Sequence, residues 1–370
     1  MIKILNRAFL GELQEIKNSW YKLSLLIFFP ILSFALLVSI FYSGVATKLP
    51  IVVVDNDRSD FSSQLLFNIN ASPTLDIKYK MLDTRSGVNR IKSNDAYALL
   101  VIPKDFEKDT LLGLRPQVTL MLNTQFVLIA KMIKASVFET VASSSAEVEY
   151  VKSLKKKEPI LLQVTPFYNT YKNYFLFLIS ALLPAIWQIF IVIATIVSFG
   201  TLFKEKKEKK FFSQEHLFMS IVGKLLPYTV VYTFMGIFIL LYIYGTQGWV
   251  FQGSYSLMFL AVFLTVIAYQ AVALLLFVIG FDYARSLSLG ALYTAPAFAF
   301  LGVTFPVSDM NSFALFWRDL LPIAHYIEIQ ISQSNYGANL FIEREELFYL
   351  FAFSFLFIPV YFRFKSRLSL

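Results

Sequence analysis

The chain has 370 residues, 57% of them hydrophobic and 16% charged, with a net charge of +8. That is too apolar for one soluble core and too long for a peripheral anchor, which leaves an integral membrane protein embedded in a lipid bilayer. Cysteine is absent and His216 and His325 are the only histidines. This excludes disulfides and thiolate metal sites and argues against a histidine metal cluster, so no metal is expected. The excess of Lys and Arg lies beside hydrophobic segments, where orientation in the membrane accounts for it without a nucleic-acid partner.

At the N-terminus, Ile2, Leu5, Phe9, Leu13, Ile16 and Trp20 recur at spacings of three and four, while Lys3, Arg7, Glu12, Glu15 and Lys17 take the other positions. The pattern predicts a cytoplasmic amphipathic helix over residues 1–22. It would lie on the leaflet, dock on a cytoplasmic partner, or simply lead into the first span. Residues 23–44 are then a transmembrane helix, and with no small-x-small site after it the segment is expected to stay as an anchor.

Residues 45–172 alternate strand and helix signals and predict a compact α/β domain. Strands are expected over 49–54, 76–81, 96–102 and 117–122. Helices are expected over 59–69, capped by Ser59 or Asp57, over 105–112 after Pro103, and over 124–157, where Pro159 stops a long stalk. Asp55, Asp57 and Asp60 lack the glycine and terminal glutamate of an EF-hand loop and read better as a capping turn.

Five further apolar stretches follow, at 174–203, 217–244, 256–280, 287–305 and 347–362. The expected fold is an α-helical integral membrane protein with six transmembrane helices and an α/β extracytoplasmic domain inserted between the first and second spans. Three basic groups fall on one side of such a six-span arrangement: Lys3, Arg7, Lys17 and Lys22; Lys204, Lys206, Lys207, Lys209 and Lys210; and Arg363, Lys365 and Arg367. That side is read as the cytoplasm, which puts both termini there. The α/β domain then lies outside.

Chemistry is sparse. No Gly-rich phosphate loop with a following Lys and Ser or Thr is present, and no nucleophile set, so the chain is expected neither to bind ATP nor to catalyse a reaction. The span centres hold almost no ionisable groups, which directs the search for a driving force to another chain. Lys224 is near a span start and is expected to snorkel to water. Gln270 is the clearest mid-span polar side chain and is read as a helix-to-helix hydrogen bond before a substrate contact. Residues 306–344 are too polar to cross; they read as a re-entrant hairpin that gates an outer exit, or as an ordinary outer loop.

Several segments together resemble the membrane subunit, or permease, of an ABC transporter of the type-2 exporter class, with a large extracytoplasmic domain after the first span. They are Leu49-Pro50-Ile51-Val52-Val53-Val54-Asp55-Asn56-Asp57-Arg58-Ser59, the strand from Ala98 to Phe106, Lys204-Glu205 with Gly223-Lys224-Leu225-Leu226-Pro227-Tyr228, and Gly302-Val303-Thr304-Phe305-Pro306 with Met310, Pro322 and Tyr326. The chain departs from the family at Lys206-Lys207-Glu208-Lys209-Lys210-Phe211-Phe212, where Arg-Gly-Thr and Glu-x-Leu are usual. The resemblance implies a permease in a bacterial inner membrane, with a separate cytoplasmic ATPase that supplies ATP and Mg and a second permease, identical or related. It also implies a periplasmic adaptor and an outer-membrane channel as further partners of the outer domain. On this reading Lys204, Glu205, Lys206, Lys207, Glu208, His216, Gly223 and Lys224, near 204–217, couple to the ATPase. Gly302, Phe305, Pro306, Met310, Pro322 and Tyr326 form the outer gate. The substrate is expected to be amphipathic or hydrophobic, a drug, lipid or lipid-linked molecule. The competing reading is a non-transport receptor or scaffold that uses the outer domain to bind a ligand.

Overall fold

The computed structural model describes residues 2–41, 46–114, 116–152, 174–212, 216–246 and 251–369. The chain divides into two compact units, one made of Met1–Tyr42 and Phe175–Leu370, the other of Ser43–Tyr174.

The smaller unit is built on a four-stranded sheet. Strands β1 (Leu49–Asp55), β2 (Leu75–Met81), β3 (Ala98–Ile102) and β4 (Thr119–Leu122) lie in the order β2-β1-β3-β4, parallel except for β4, which pairs antiparallel with β3. The central strands are apolar up to the closing Asp55 of β1 because both faces are covered. Ile51, Val53, Ala98 and Leu100 pack with residues of the helices Asp60–Ala71 and Val127–Lys152, whereas Val52, Val54 and Leu99 pack with Val88 and Ile91 of the helix Thr84–Lys92. That last helix is a structural addition to the elements expected from sequence. Asp83 caps it, accepting from the Ser86 N–H at 2.8 Å. The predicted stalk over 124–157 is helical from Val127 to Lys152, and its end at Pro159 lies outside the described residues.

The aspartates form a capping turn. Asp55 Oδ1 accepts from the backbone of Asp57 and Arg58, both at 3.0 Å, and Asp57 accepts from the Phe106 and Glu107 N–H groups, also at 3.0 Å. Burial pushes the Asp57 carboxyl up, but the Ser59 hydroxyl and these backbone donors outweigh it and hold the group below the usual range.

The larger unit is helical. A first helix, α1 (Ile2–Asn18), ends at the extended residue Ser19, and α2 (Trp20–Phe41) follows. Then come α3 (Tyr174–Lys204), α4 (Leu217–Gly245), α5 (Tyr255–Val278), α6 (Tyr283–Thr294), α7 (Ser312–Asp319), α8 (Pro322–Ile331) and α9 (Leu340–Leu368). Five helices among the described residues are long and apolar enough to cross a membrane: α2, the 177–204 part of α3, α4, α5 and α9. The stretch expected to be a fifth continuous span, 287–305, instead changes form at Pro296, which lacks an N–H to donate back to the helix. α6 gives way there to a 3-10 helix, Ala295–Phe300. The last span begins seven residues earlier than the apolar run indicates, at Leu340, so residues 340–344 belong to it and not to the outer hairpin.

Prolines inside the helices leave carbonyls that neighbours use. Pro184 in α3 frees the Ser180 carbonyl, and Gln330 of α8 donates to it at 2.7 Å. In α2 a π-turn over Ser24–Phe28 precedes Pro30, and Tyr232 of α4 donates to the Leu25 carbonyl at 3.2 Å.

Basic residues gather at one end of this unit. Lys204 lies over the ring of Tyr283, Arg363 donates to the Val278 carbonyl at 3.3 Å, and Arg367 lies over Phe281. Phe199, Phe277 and Phe364 pack together beneath them. The opposite end is richer in carboxylates: Arg318 pairs with Glu328, His325 with Glu346 at 2.6 Å, and the buried Glu343 accepts from Gln333 at 3.1 Å.

Candidate coupling site

At the basic end, α1 is bound to α4 by charges that water does not reach. Glu12 is 0% exposed and accepts from Lys224, also 0% exposed, and from the Tyr228 hydroxyl at 2.8 Å. The Ser198 hydroxyl of α3 donates to the same carboxylate at 2.8 Å, and Lys22 stands 3.5 Å away. Lys22 in turn pairs with Glu15 at 2.6 Å. Two carboxylates and two ammonium groups thus form one neutral, hydrogen-bonded network. Burial pushes the Glu12 carboxyl up, but the ammonium groups of Lys224 and Lys22 and the Tyr228 hydroxyl outweigh it and hold it below the usual carboxylate range.

Local sequence makes this approach possible. Glu12 and Glu15 share a face at i and i+3, flanked by the buried Ala8 and Ile16. Gly223 has no side chain, and a Cβ there would meet the Leu5 carbonyl at 2.7 Å and Ala8 at 2.8 Å, so α1 lies directly against the backbone of α4. The break at Ser19 turns the chain so that Lys22 reaches back to Glu15.

The segment after α3 joins the same structure. Lys206 N–H bonds to the Phe203 carbonyl and Lys207 N–H to that of Leu202, the paired bonds of a Schellman end, with Lys206 at φ +54 in the left-handed position that favours glycine. Glu205 and Lys207 pair at 2.6 Å on the surface, which lowers the glutamate and raises the lysine. Phe211 lies 4.6 Å beneath the Lys224 ammonium and close to Gly11, and Phe212 is buried against Phe199. A cleft of about 400 Å³ opens beside the network, lined by Gly11, Glu15, Lys22, Thr201, Glu205 and Lys207.

Of the residues singled out from sequence, Glu205, Lys207, Gly223 and Lys224 come together here, and Lys204, Lys206 and Glu208 adjoin them. His216 precedes α4 without capping it through its side chain. Lys224 does not snorkel: Glu12 neutralises it inside the protein. In α1, Ala8, Glu12 and Ile16 are buried, while Ile2 and Leu13 of the apolar stripe are exposed, as is Trp20 at the start of α2. Glu12, Glu15, Ser198, Phe211 and Tyr228 complete the site, and a lone lysine in an apolar helix was the one local sign that a carboxylate partner was needed.

Gln270 accepts from Thr229 at 2.9 Å and donates to the Leu225 carbonyl at 3.5 Å, joining α5 to α4. Towards the other end, Gly302 (φ +79) packs against Val307, Phe305 is exposed, and Pro306 and Met310 flank the short 3-10 turn Val307–Asp309. Pro322 opens α8, whose buried Tyr326 sits 6.0 Å from Trp187. Tyr269 donates to Gln188 and accepts from the Ile323 N–H at 3.1 Å, fixing the start of α8 in the core.

Against known families, the model described as ABC-2 family transporter protein matches residues 21–362. The chain belongs to the ABC-2 family. Comparison with curated proteins found no match. As an ABC-2 permease the chain is a membrane transport component and not itself an enzyme, and its family implies an ATPase partner. The matched segment begins at residue 21, so the buried network ties Lys22, Ser198, Lys224 and Tyr228 of the ABC-2 region to Glu12 and Glu15 of the preceding helix.

Proposed function

We propose that this permease is the membrane subunit of an ATP-driven exporter, powered by a separate cytoplasmic ATPase and paired with a second permease, identical or related. The observation that carries the reading is the buried network that makes α1, the 205–212 segment and α4 one body at the basic end. The positive-inside rule assigns that end to the cytoplasm of a bacterial inner membrane, with both termini there and the α/β domain in the periplasm. α6 and its 3-10 extension, about 18 and 12 Å long, together match the roughly 30 Å hydrocarbon layer and make the sixth crossing.

ATP and Mg bind to the partner. Closure of its dimer pushes on α1 and on the segment 204–217 and shifts the spans between inward and outward arrangements. The 306–339 region forms the outer gate, and the α/β domain is the docking surface for a periplasmic adaptor and outer-membrane channel. An apolar groove of about 530 Å³ between α2, α3 and α4, lined by Phe34, Leu183, Trp187, Phe234 and Phe238 among others, supports an amphipathic or hydrophobic substrate such as a drug, lipid or lipid-linked molecule.

Gentle purification of the tagged chain from its native membrane, with mass spectrometry and ATP hydrolysis on what accompanies it, tests this reading. A stoichiometric ATPase subunit is expected. Repeated recovery without one, under conditions that keep other membrane complexes intact, would favour a receptor or scaffold.

A further inference from the structure

The α/β unit contains a cavity that the transport reading leaves unused. It has a volume of about 520 Å³ and lies at the carboxyl ends of β1 and β2, beside the helix Asp60–Ala71. Its apolar lining comes from Val53, Leu66, Ile77 and Met81, together with Phe67 and Leu82.

A β-bulge turns an exposed cation towards this half-polar cavity. Ile51 pairs with Ile77 but Val52 pairs with Tyr79, so Lys78 is an extra residue in β2. Without it, strict alternation would place Tyr79 and Met81 on the face of Ile77. With it, Tyr79 joins the opposite layer beside Val88 and Ile91, Met81 packs with that layer while also bordering the cavity, and Lys80 lines the cavity with Ile77. Bulges re-aim side chains in this way. Arg58 lines the same cavity from a left-handed turn (φ +56) whose N–H is held by Asp55. Among the described residues, no carboxylate pairs with either Arg58 or Lys80. Asp55 also lines the cavity, but its oxygens accept from two backbone N–H groups and from Ser62. Two large apolar side chains stand at the cavity in water, Phe67 at 69% exposure and Leu82 at 79%.

We propose that this cavity binds an anionic amphiphile, with a carboxylate or phosphate headgroup held by Arg58 and Lys80 and an apolar body covering Phe67 and Leu82. Two unpaired cations beside exposed apolar side chains fit both halves of such a molecule and neither a free ion nor a neutral lipid. The inference stands independently of the direction of transport and of the ATPase.

The test uses the full chain in phosphatidylcholine nanodiscs with three diazirine-bearing probes: octanoate, octyl phosphate and octanol. Cross-linked sites are mapped by peptide mass spectrometry. Both anionic probes are expected to label peptides spanning residues 58–82, and the neutral probe about tenfold less, the discrimination that one or two charge-assisted hydrogen bonds supply. Replacing both cations, Arg58→Gln with Lys80→Gln, should lower anionic labelling by a similar factor while the thermal unfolding midpoint stays unchanged; Phe67→Ala serves as a second variant that leaves the cations in place and should also lower it. Equal labelling by octanol, undiminished labelling in the double variant, or displacement by inorganic phosphate as effective as by octyl phosphate would overturn the proposal.

Discussion

Glu12 and Lys224 are separated by 212 residues in sequence and share one hydrogen bond in a place without water. Removing one member of such a pair leaves the other buried with less compensation, Glu12 keeping only Lys22 at 3.5 Å as a cationic partner, which costs up to about 3–5 kcal/mol, whereas replacing both by apolar groups is far milder. Lys224→Met should therefore lower stability in detergent by about that amount, and Glu12→Leu added to it should recover most of the loss; thermal unfolding of the single and double variants measures both. The depressed Glu12 carboxyl fixes the sign of the pH response. Its contribution is complete above the ordinary carboxylate range and disappears only as pH falls through the lower folded value. Hydrogen exchange across α1 should be flat from about pH 5 to 8, beyond its intrinsic pH dependence, and should rise only in stronger acid, below about pH 4. Sequence reading found Lys224 and missed its partner. The spacing of α1 marks Glu12 as polar-face, and a contact between distant helices leaves no local periodicity to read.

At the scale of elements, the turn after α3 holds Lys206 where glycine is favoured, in an intact Schellman arrangement. A side chain in that conformation costs about 1 kcal/mol, so Lys206→Gly should stabilise the chain by up to that amount, seen as a higher unfolding midpoint with the fold unchanged. Gln330→Leu works in the opposite direction. It leaves the carbonyl freed by Pro184 without its donor, for a loss of about 1–3 kcal/mol in the same assay. Strands β1 and β3 were legible because apolar runs bounded by turn residues are the mark of a sheet covered on both faces. The helix Thr84–Lys92 was not, since Val88 and Ile91 are its only large apolar residues and Gly87, which is buried against Leu99, has no side chain to mark the face. The Lys78 bulge was equally hidden, because it moves the face of the strand without changing its composition. Residues 287–305 read as a uniform span because hydropathy does not register the hydrogen bond that Pro296 removes.

On the scale of the whole molecule, a chain without cysteine invites site-directed labelling. Single cysteines at Lys209 and at Leu82 should react with impermeant reagents from opposite sides of sealed inner-membrane vesicles; reaction from the same side would remove the topology assigned from the basic residues. Composition and charge placement were enough to expect a membrane protein with a soluble insert, and the ABC-2 match over residues 21–362 agrees with the resemblance seen in separate short motifs. The path by which ATPase movement would reach the spans was not readable in that way, because it depends on which distant charges meet. Its most direct test is permease-stimulated ATP hydrolysis and transport after co-reconstitution with the ATPase, for wild type, Lys224→Met, and Lys224→Met with Glu12→Leu. If the buried network is the link, the single variant loses coupling by at least about tenfold while still binding the ATPase, and the double variant, with α1 repacked on α4, regains much of it. Full coupling in a folded Lys224→Met protein would contradict the account.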